Sequence, residues 1–377
     1  MVCKKAREKE VENLLVFLNS PPVNFTRNNK AYSDSGRHSN LSPDSIENFT
    51  TYIARSVEGL QTMGLRVDML SPVNEPQWDW ADGGQEGSPF WNDEIAAISR
   101  SLDQAFDKYH LTTKIDIAEA AQLNYLYKED NRPGRGSQID QFFNRESPNY
   151  IGNLSHISKT ISGHSYFTTS PTSELIKQRK QLNGNLKKYR DLNFWMSEYC
   201  ILGDNNGEIN GNKKDLGIQP ALYMAKVIHH DLVVAEASAW HWWTAISAYD
   251  YKDGLIYIDK NKKDGSFEES KMLWALGNYS RFIRPGFQRI EVSSDQDSAS
   301  KLLVSGYASP DNKTVYVVLV NTGGEREIVF QPKSIHLQPT SCYITSATKN
   351  LEKTDLPSES KKIRIPAASI VSILLKP

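Results

Sequence analysis

No run of about 18 apolar residues occurs in the 377-residue chain, so no membrane-spanning helix is expected. An excess of either charge is missing too: 44 Lys and Arg face 45 Asp and Glu, for a formal net charge of −1. Nucleic-acid binders usually carry a basic excess, and acidic disordered tails the opposite, so neither class fits. Cysteine is scarce. Cys3, Cys200 and Cys342 stand far apart, with no CxxC pair and no metal-ligand spacing, and their odd number excludes a complete disulfide framework. No Gly-rich phosphate loop follows any apolar run, which leaves dinucleotide binding without support. The opening Met1–Glu12 mixes Lys, Arg and Glu, which is not the pattern of a secretory signal peptide.

Aromatic residues are present in quantity and are not scattered. Of the 8 Trp, Trp78 and Trp80 sit together, as do Trp240, Trp242 and Trp243. Buried Trp usually means core. Clusters in polar, loop-like sequence point instead to a surface that binds something flat.

Short apolar runs alternate with helical patterns over residues 4–284. Strands are expected at Leu14–Leu18, Leu65–Val73, Lys114–Ala121, Ile161–Phe167, Asn193–Tyr199 and Ala237–Trp243. Helices are expected between them, the clearest opening at Ser42-Pro43 with a cap residue followed by proline. Strand–helix repetition implies parallel crossovers, in an open sheet or a barrel. Polar and aromatic residues gather after nearly every strand, which favours a TIM-type (β/α) barrel with its site at the strand C-termini. Beyond Pro285-Gly286 the helical period disappears, and short strands separated by turn residues read as a β-sandwich. The expected domains are therefore 1–284 and 285–377.

Two strand ends carry carboxylates. Ser71-Pro72-Val73-Asn74-Glu75-Pro76-Gln77-Trp78 closes an apolar strand with Asn-Glu-Pro, where the proline stops the ladder and Asn74 offers an amide to a sugar hydroxyl. By itself the motif also fits an exposed turn. Asn193-Phe194-Trp195-Met196-Ser197-Glu198-Tyr199 again ends in Glu. Together, Glu75 and Glu198 supply what glycoside hydrolysis needs: one carboxyl held protonated for the leaving oxygen, one ionised to attack the anomeric carbon. Further strand ends place His164 and Tyr166, Asn19 of Asn19-Ser20-Pro21-Pro22, and Glu119 near the mouth. Glu119 reads as a substrate hydrogen-bonding group or a structural ion pair. His164 fits a structural histidine as well as a site residue. Trp78 and one of Trp240 or Trp242 are sugar-stacking candidates.

Asn-Glu-Pro, His-x-Tyr, Ser-Glu-Tyr and a Trp-rich last strand resemble clan A retaining glycoside hydrolases. Asn-Ser-Pro-Pro, Gln85–Gly87 and the trailing sandwich make the chain similar to glycoside hydrolase family 30, and within it to the endo-β-1,6-galactanases. The resemblance implies that Glu75 is the acid/base and Glu198 the nucleophile. It also places Asn74 on the sugar 2-hydroxyl and Tyr166 beside the nucleophile. It implies a β-1,6-galactan substrate, with β-1,6-glucan and xylan as alternatives, no metal or organic cofactor, and a secreted or cell-envelope monomer. Such a barrel has eight strands. Here the Asn-Ser-Pro-Pro of its third strand begins at residue 19, so the expectation is a barrel lacking its first two strands, with the edges at Leu14–Leu18 and Ala237–Trp243 left open. A carbohydrate-binding remnant is the non-enzymatic alternative.

Overall fold

The computed structural model describes residues 2–293, 301–331, 337–356 and 362–377. The chain divides into two compact units: Met1–Thr168 with Ser173–Tyr199 and Ala235–His241, and Thr169–Thr172 with Cys200–Val234 and Trp242–Pro377.

The first unit holds six parallel strands, β1 Leu15–Phe17, β2 Met69–Ser71, β3 Lys114–Ile115, β4 Thr160–His164, β5 Asn193–Glu198 and β6 Ala239–Trp240. They pair in sequence order, β1-β2-β3 and β4-β5-β6, and isolated parallel bridges Ile115–Ile157 and Ala120–Gly163 join the two groups. Among the described residues no ladder joins β1 to β6. Met69, Leu70 and Ser71 are all buried, because a parallel strand is covered on both faces and its apolar run needs no alternation.

Helix α1 Val2–Glu8 precedes β1, and α2 Ile46–Thr62, α3 Asn92–Lys108, α4 Asn124–Tyr127, α5 Gln138–Phe143 and α6 Thr172–Leu186 fall between the strands. Phe49, Ile53, Ala54 and Val57 recur at helical spacing and form the buried face of α2. Ile95, Ile98, Leu102 and Phe106 do the same for α3. The Trp91 amide donates to Glu94 Oε2 at 2.9 Å, so the first turn of α3 is capped from inside. These faces share one core with Leu70, Val73, Ile115 and Ile117.

Several strands are shorter than the apolar runs predict. The reason lies in their C-terminal ends. Past Ser71 the chain leaves the ladder, and the Glu75 amide donates to the Glu119 carbonyl at 2.9 Å. Past Ile115 it crosses toward β4, where the Ser162 amide donates to the Ile117 carbonyl at 2.7 Å and the His164 amide to the Ala120 carbonyl at 2.8 Å. The unpaired lengths are the segments that aim the site side chains.

The second unit contains α7 Ile218–Val233, α8 Lys271–Ser280 and the remaining strands. A small sheet comprises β7 Ile246–Ser247, β8 Ile256–Ile258 and β9 Phe267–Glu269. The large antiparallel sheet runs β10-β11-β12-β17-β14-β15, built from Gln288–Ile290, Leu302–Ala308, Val315–Asn321, Ser369–Lys376, Gln338–Thr345 and Glu352–Asp355. A pair, β13 Arg326–Val329 with β16 Lys362–Ile365, packs on it: Ile328, Ile363 and Ile365 share a core with Val317, Leu319 and Ile373. Helices α7 and α8 contact the large sheet. Asn278 of α8 ties in by donating to the Tyr343 carbonyl at 3.1 Å and to Ser372 Oγ at 2.9 Å.

Candidate active site

Glu75 and Glu119 have φ of 44° and 47°, a left-handed conformation that costs a non-glycine residue on the order of 1 kcal/mol. Each is the carboxylate-bearing residue at the end of its strand segment, and the mutual backbone bond holds them side by side. Trp80 Nε1 fastens the Glu75 carbonyl at 3.2 Å. Gln77 reaches the Arg135 carbonyl at 2.7 Å and accepts from the Ala121 amide at 2.9 Å, which fixes the loop behind Glu75. The turn after β4 is held by fully buried Arg179, which donates to the Thr168 carbonyl at 2.6 Å and to Ser165 Oγ at 2.9 Å.

His164, 1% exposed, stands at the centre. Its Nδ1 lies 2.9 Å from Glu75 Oε1 and 3.8 Å from Glu198 Oε1, and its Nε2 lies 3.2 Å from Glu119 Oε2. Tyr166 donates its hydroxyl to Glu198 Oε1 at 2.9 Å. One oxygen of Glu75, one of Glu198 and a ring nitrogen of His164 all lie within 4.8 Å of one another. Behind His164, Glu119 accepts from Ser71 at 2.7 Å and from Ser197. Deeper still, fully buried Asp116 accepts from Thr160 at 2.7 Å and from Ser71 at 3.4 Å.

The charges follow from this packing. Burial pushes Glu198 up to about 7; the charge of Glu75 adds to the rise, while the His164 charge and the Tyr166 hydroxyl oppose it. Burial, then the charge of Glu119, pushes Asp116 up to about 7. For His164 burial works against the cation. The charge of Glu198 and the hydrogen bonds that the ring donates to Glu119 and Glu75 outweigh it and hold the ring well above the ordinary imidazole range. Burial likewise opposes ionisation of Glu119, yet the His164 hydrogen bond and charge, with Ser197 and Ser71, hold it below the usual carboxylate range. Glu75, His164 and Glu198 are spaced as three ligands could be, but a doubly protonated ring has no lone pair for a cation.

Glu75, Glu119, His164, Tyr166 and Glu198 are thus brought into one cluster of hydrogen bonds and ion pairs. Asn74 is buried beside it, and its Oδ1 has no partner among the described residues. Trp240 is half-buried on β6, edge-on to Tyr199, which in turn packs against Tyr166. Trp78 stands edge-on to Tyr125 and Phe167, with the Arg132 guanidinium 5.6 Å from its ring. Asn19 is half-buried just after β1. Trp242 lies in the second unit, where its indole donates to the Asp253 carbonyl at 2.6 Å. An open groove of 430 Å³ lined by Phe25, Asn48, Thr51, Tyr52, Arg55 and Ser56 contains none of these groups.

Sequence reasoning missed Ser71, Asp116 and Ser197. A signal existed: Ser158, Thr160, Ser162 and His164 put a polar stripe with period two along β4 and the residues leading into it. That stripe surrounds Asp116 and supports Glu119.

The family model of O-glycosyl hydrolase family 30 matches residues 1–257. Glucuronoxylanase XynC of Bacillus subtilis is 28% identical over 189 residues, 48% of this chain and 39% of that protein. Exo-beta-1,6-galactobiohydrolase of Bifidobacterium longum subsp. longum is 31% identical over 105 residues, 27% of this chain and 7% of that protein. The chain therefore spans well under half the length of the curated relatives it matches. The crystal structure of a conserved exported protein from Bacteroides fragilis superposes with a TM-score of 0.89 at 29% identity, covering 99% of this chain and 78% of that one. The family 30 subfamily 8 xylanase Xyn30A of Clostridium acetobutylicum gives 0.72 at 20% identity, covering 100% and 82%. The fold shared with these neighbours is a TIM-barrel-like domain with a β-rich C-terminal domain. The endo-β-1,6-galactanase subtype is not among these matches, in which xylanases stand nearer.

Proposed function

Since the chain belongs to glycoside hydrolase family 30, we propose that it is a retaining endo-acting glycosidase that cleaves β-1,6-linked galactan. One observation carries the chemistry: Glu75 and Glu198 end parallel strands with oxygens within 4.8 Å of each other. Retaining glycosidases hold their carboxyl groups about 5–5.5 Å apart, whereas inverting ones leave roughly 6.5–9.5 Å for a water. Glu198 attacks the anomeric carbon while Glu75 gives its proton to the departing oxygen. Glu75 then takes a proton from the water that releases the sugar from Glu198. The Tyr166 hydroxyl orients the nucleophile, and the unpaired Oδ1 of Asn74 is available to a sugar hydroxyl. The half-buried indoles of Trp78 and Trp240 provide apolar faces for sugar rings. The catalytic part is assigned to 1–284 and the sandwich to 285–377.

The galactan reading is supported by the resemblance of the sequence to the endo-β-1,6-galactanases and, for the linkage and sugar, by the relative named exo-beta-1,6-galactobiohydrolase. The longer match to a glucuronoxylanase favours a second reading, glucuronoxylan. A polymeric substrate suits a secreted or cell-envelope location, and a solved neighbour is described as exported. No helix of the described residues is long and apolar enough to cross a membrane. A hydrolysis screen over de-arabinosylated arabinogalactan, pustulan and glucuronoxylan, with product sizing, tests the assignment. Short oligosaccharides from the first polymer alone are expected. Xylo-oligosaccharides would move the assignment to the second reading, and no product from any polymer would leave a binding protein.

A further inference from the structure

Glu119 was read as a substrate hydrogen-bonding group or a structural ion pair, and both of its oxygens are occupied by protein donors. Ser71 holds Oε1 at 2.7 Å, while Ser197 and His164 share Oε2. The Glu119 amide also donates to Ser162 Oγ at 3.2 Å, so backbone and side chain are both fixed. The carboxylate therefore has one partner that belongs to the reaction, the His164 ring. That ring faces Glu75 from the segment after β2, Glu119 from the segment after β3, Glu198 from β5 and the Tyr166 ring from its own strand end. It also feels His241 from the end of β6. Asp116 lies behind Glu119. A neutral imidazole has one N–H and can donate to only one of two carboxylates, whereas the cation donates to both.

We propose that Glu119 is a positioning residue for the proton-transfer step: it grips His164 by Nε2 and keeps the ring doubly protonated, so that Nδ1–H stays on Glu75 Oε1 throughout the reaction. This rests on the acid/base role of Glu75. The grip leaves the second oxygen of Glu75 for the substrate. When Glu75 gives up its proton, the carboxylate that forms meets a cation already in place, so no reorganisation is needed at that moment. Ser71 and Ser197 keep Glu119 from rotating away. The direction in which His164 is shifted, well above an ordinary imidazole, agrees with the geometry.

The test is a pH titration of the His164 ring nitrogens by NMR on histidine-labelled protein, beside kcat/KM against pH. In the wild type both ring nitrogens should remain protonated at pH 7 and above. In Glu119→Gln the ring should titrate lower by about one pH unit or more, as expected when a charge in contact is removed. The alkaline limb of kcat/KM should move down with it, while KM stays within about twofold. Glu119→Asp keeps the charge and should return both readings most of the way. A neutral His164 in the wild type at pH 7 overturns the proposal whether or not any variant folds. So does a Glu119→Gln enzyme that loses the same factor of activity at every pH with its ring titration unmoved. If the wild type hydrolyses no glycan, the functional reading fails by itself, and the ring titration still decides what Glu119 does to His164.

Discussion

Replacing Tyr166 by Phe removes one hydrogen bond, the hydroxyl donated to Glu198 Oε1 at 2.9 Å, and leaves the ring that packs edge-on to His164 at 5.8 Å. A hydrogen bond to a charged group contributes roughly 1.5–3 kcal/mol, and about 1.4 kcal/mol corresponds to one pKa unit. The bond favours the ionised form of Glu198, so its loss raises a group already near 7 by about 1–2 units. In the proposed mechanism only the ionised carboxylate attacks. At pH 6 about one wild-type site in ten is ionised, and the variant keeps about one in a hundred to one in a thousand, a loss of roughly 10- to 100-fold. The loss shrinks as the pH rises past 9. The assay is kcat/KM from pH 5 to 10 on an aryl β-glycoside with an activated leaving group, so that proton donation does not limit the rate. An acid limb that stays in place while the whole profile drops by one factor would refute the reasoning, because the hydroxyl would then act on geometry and not on charge.

Glu198→Gln should abolish hydrolysis yet stabilise the fold at pH 8. A carboxyl with a raised folded pKa binds its proton more tightly in the folded state, so its ionisation lowers stability as pH rises from about 4.5 to 7. The gain, at most about 3 kcal/mol, should appear in thermal melts at pH 8 and vanish near pH 4. The first product from a β-linked substrate should be the β-anomer by proton NMR; an α-anomer would mean inversion despite the short carboxylate spacing. Phe49→Ala, at a fully buried position on α2, should cost about 3–5 kcal/mol in denaturant unfolding; a cost under about 1 kcal/mol would mean that the α2 face is not core.

Much of this arrangement was legible in the residues because each functional carboxylate lies where an apolar run stops. Glu75 and Glu198 follow Met69–Ser71 and Asn193–Ser197, and the change from apolar to polar marks the end of a buried parallel strand. His164 and Tyr166 were visible for the same reason. The place of Glu119 behind the ring was not, since a strand-end Glu looks alike whether it faces substrate or serine hydroxyls. For Trp242 alternation along Trp240-His241-Trp242 decides nothing, because it assumes that the strand continues and β6 stops at Trp240. The strand β15 escaped notice because all four residues of Glu352–Asp355 are exposed, so no face imposes a period of two. In β12 nearly every residue of Val315–Asn321 is buried, so the strand is a continuous apolar run and not an alternating one.

The central claim is that Glu198 becomes the covalent partner of the sugar, and trapping tests it most directly. A 2-deoxy-2-fluoro aryl β-glycoside, of the sugar that the polymer screen selects, should accumulate as a glycosyl-enzyme, because the fluorine slows its release. Peptide mass spectrometry should then place one sugar on Glu198, in the stretch Phe194–Tyr199. A label on Glu75 or Glu119, or full turnover of the probe with inversion and no adduct, would contradict the account.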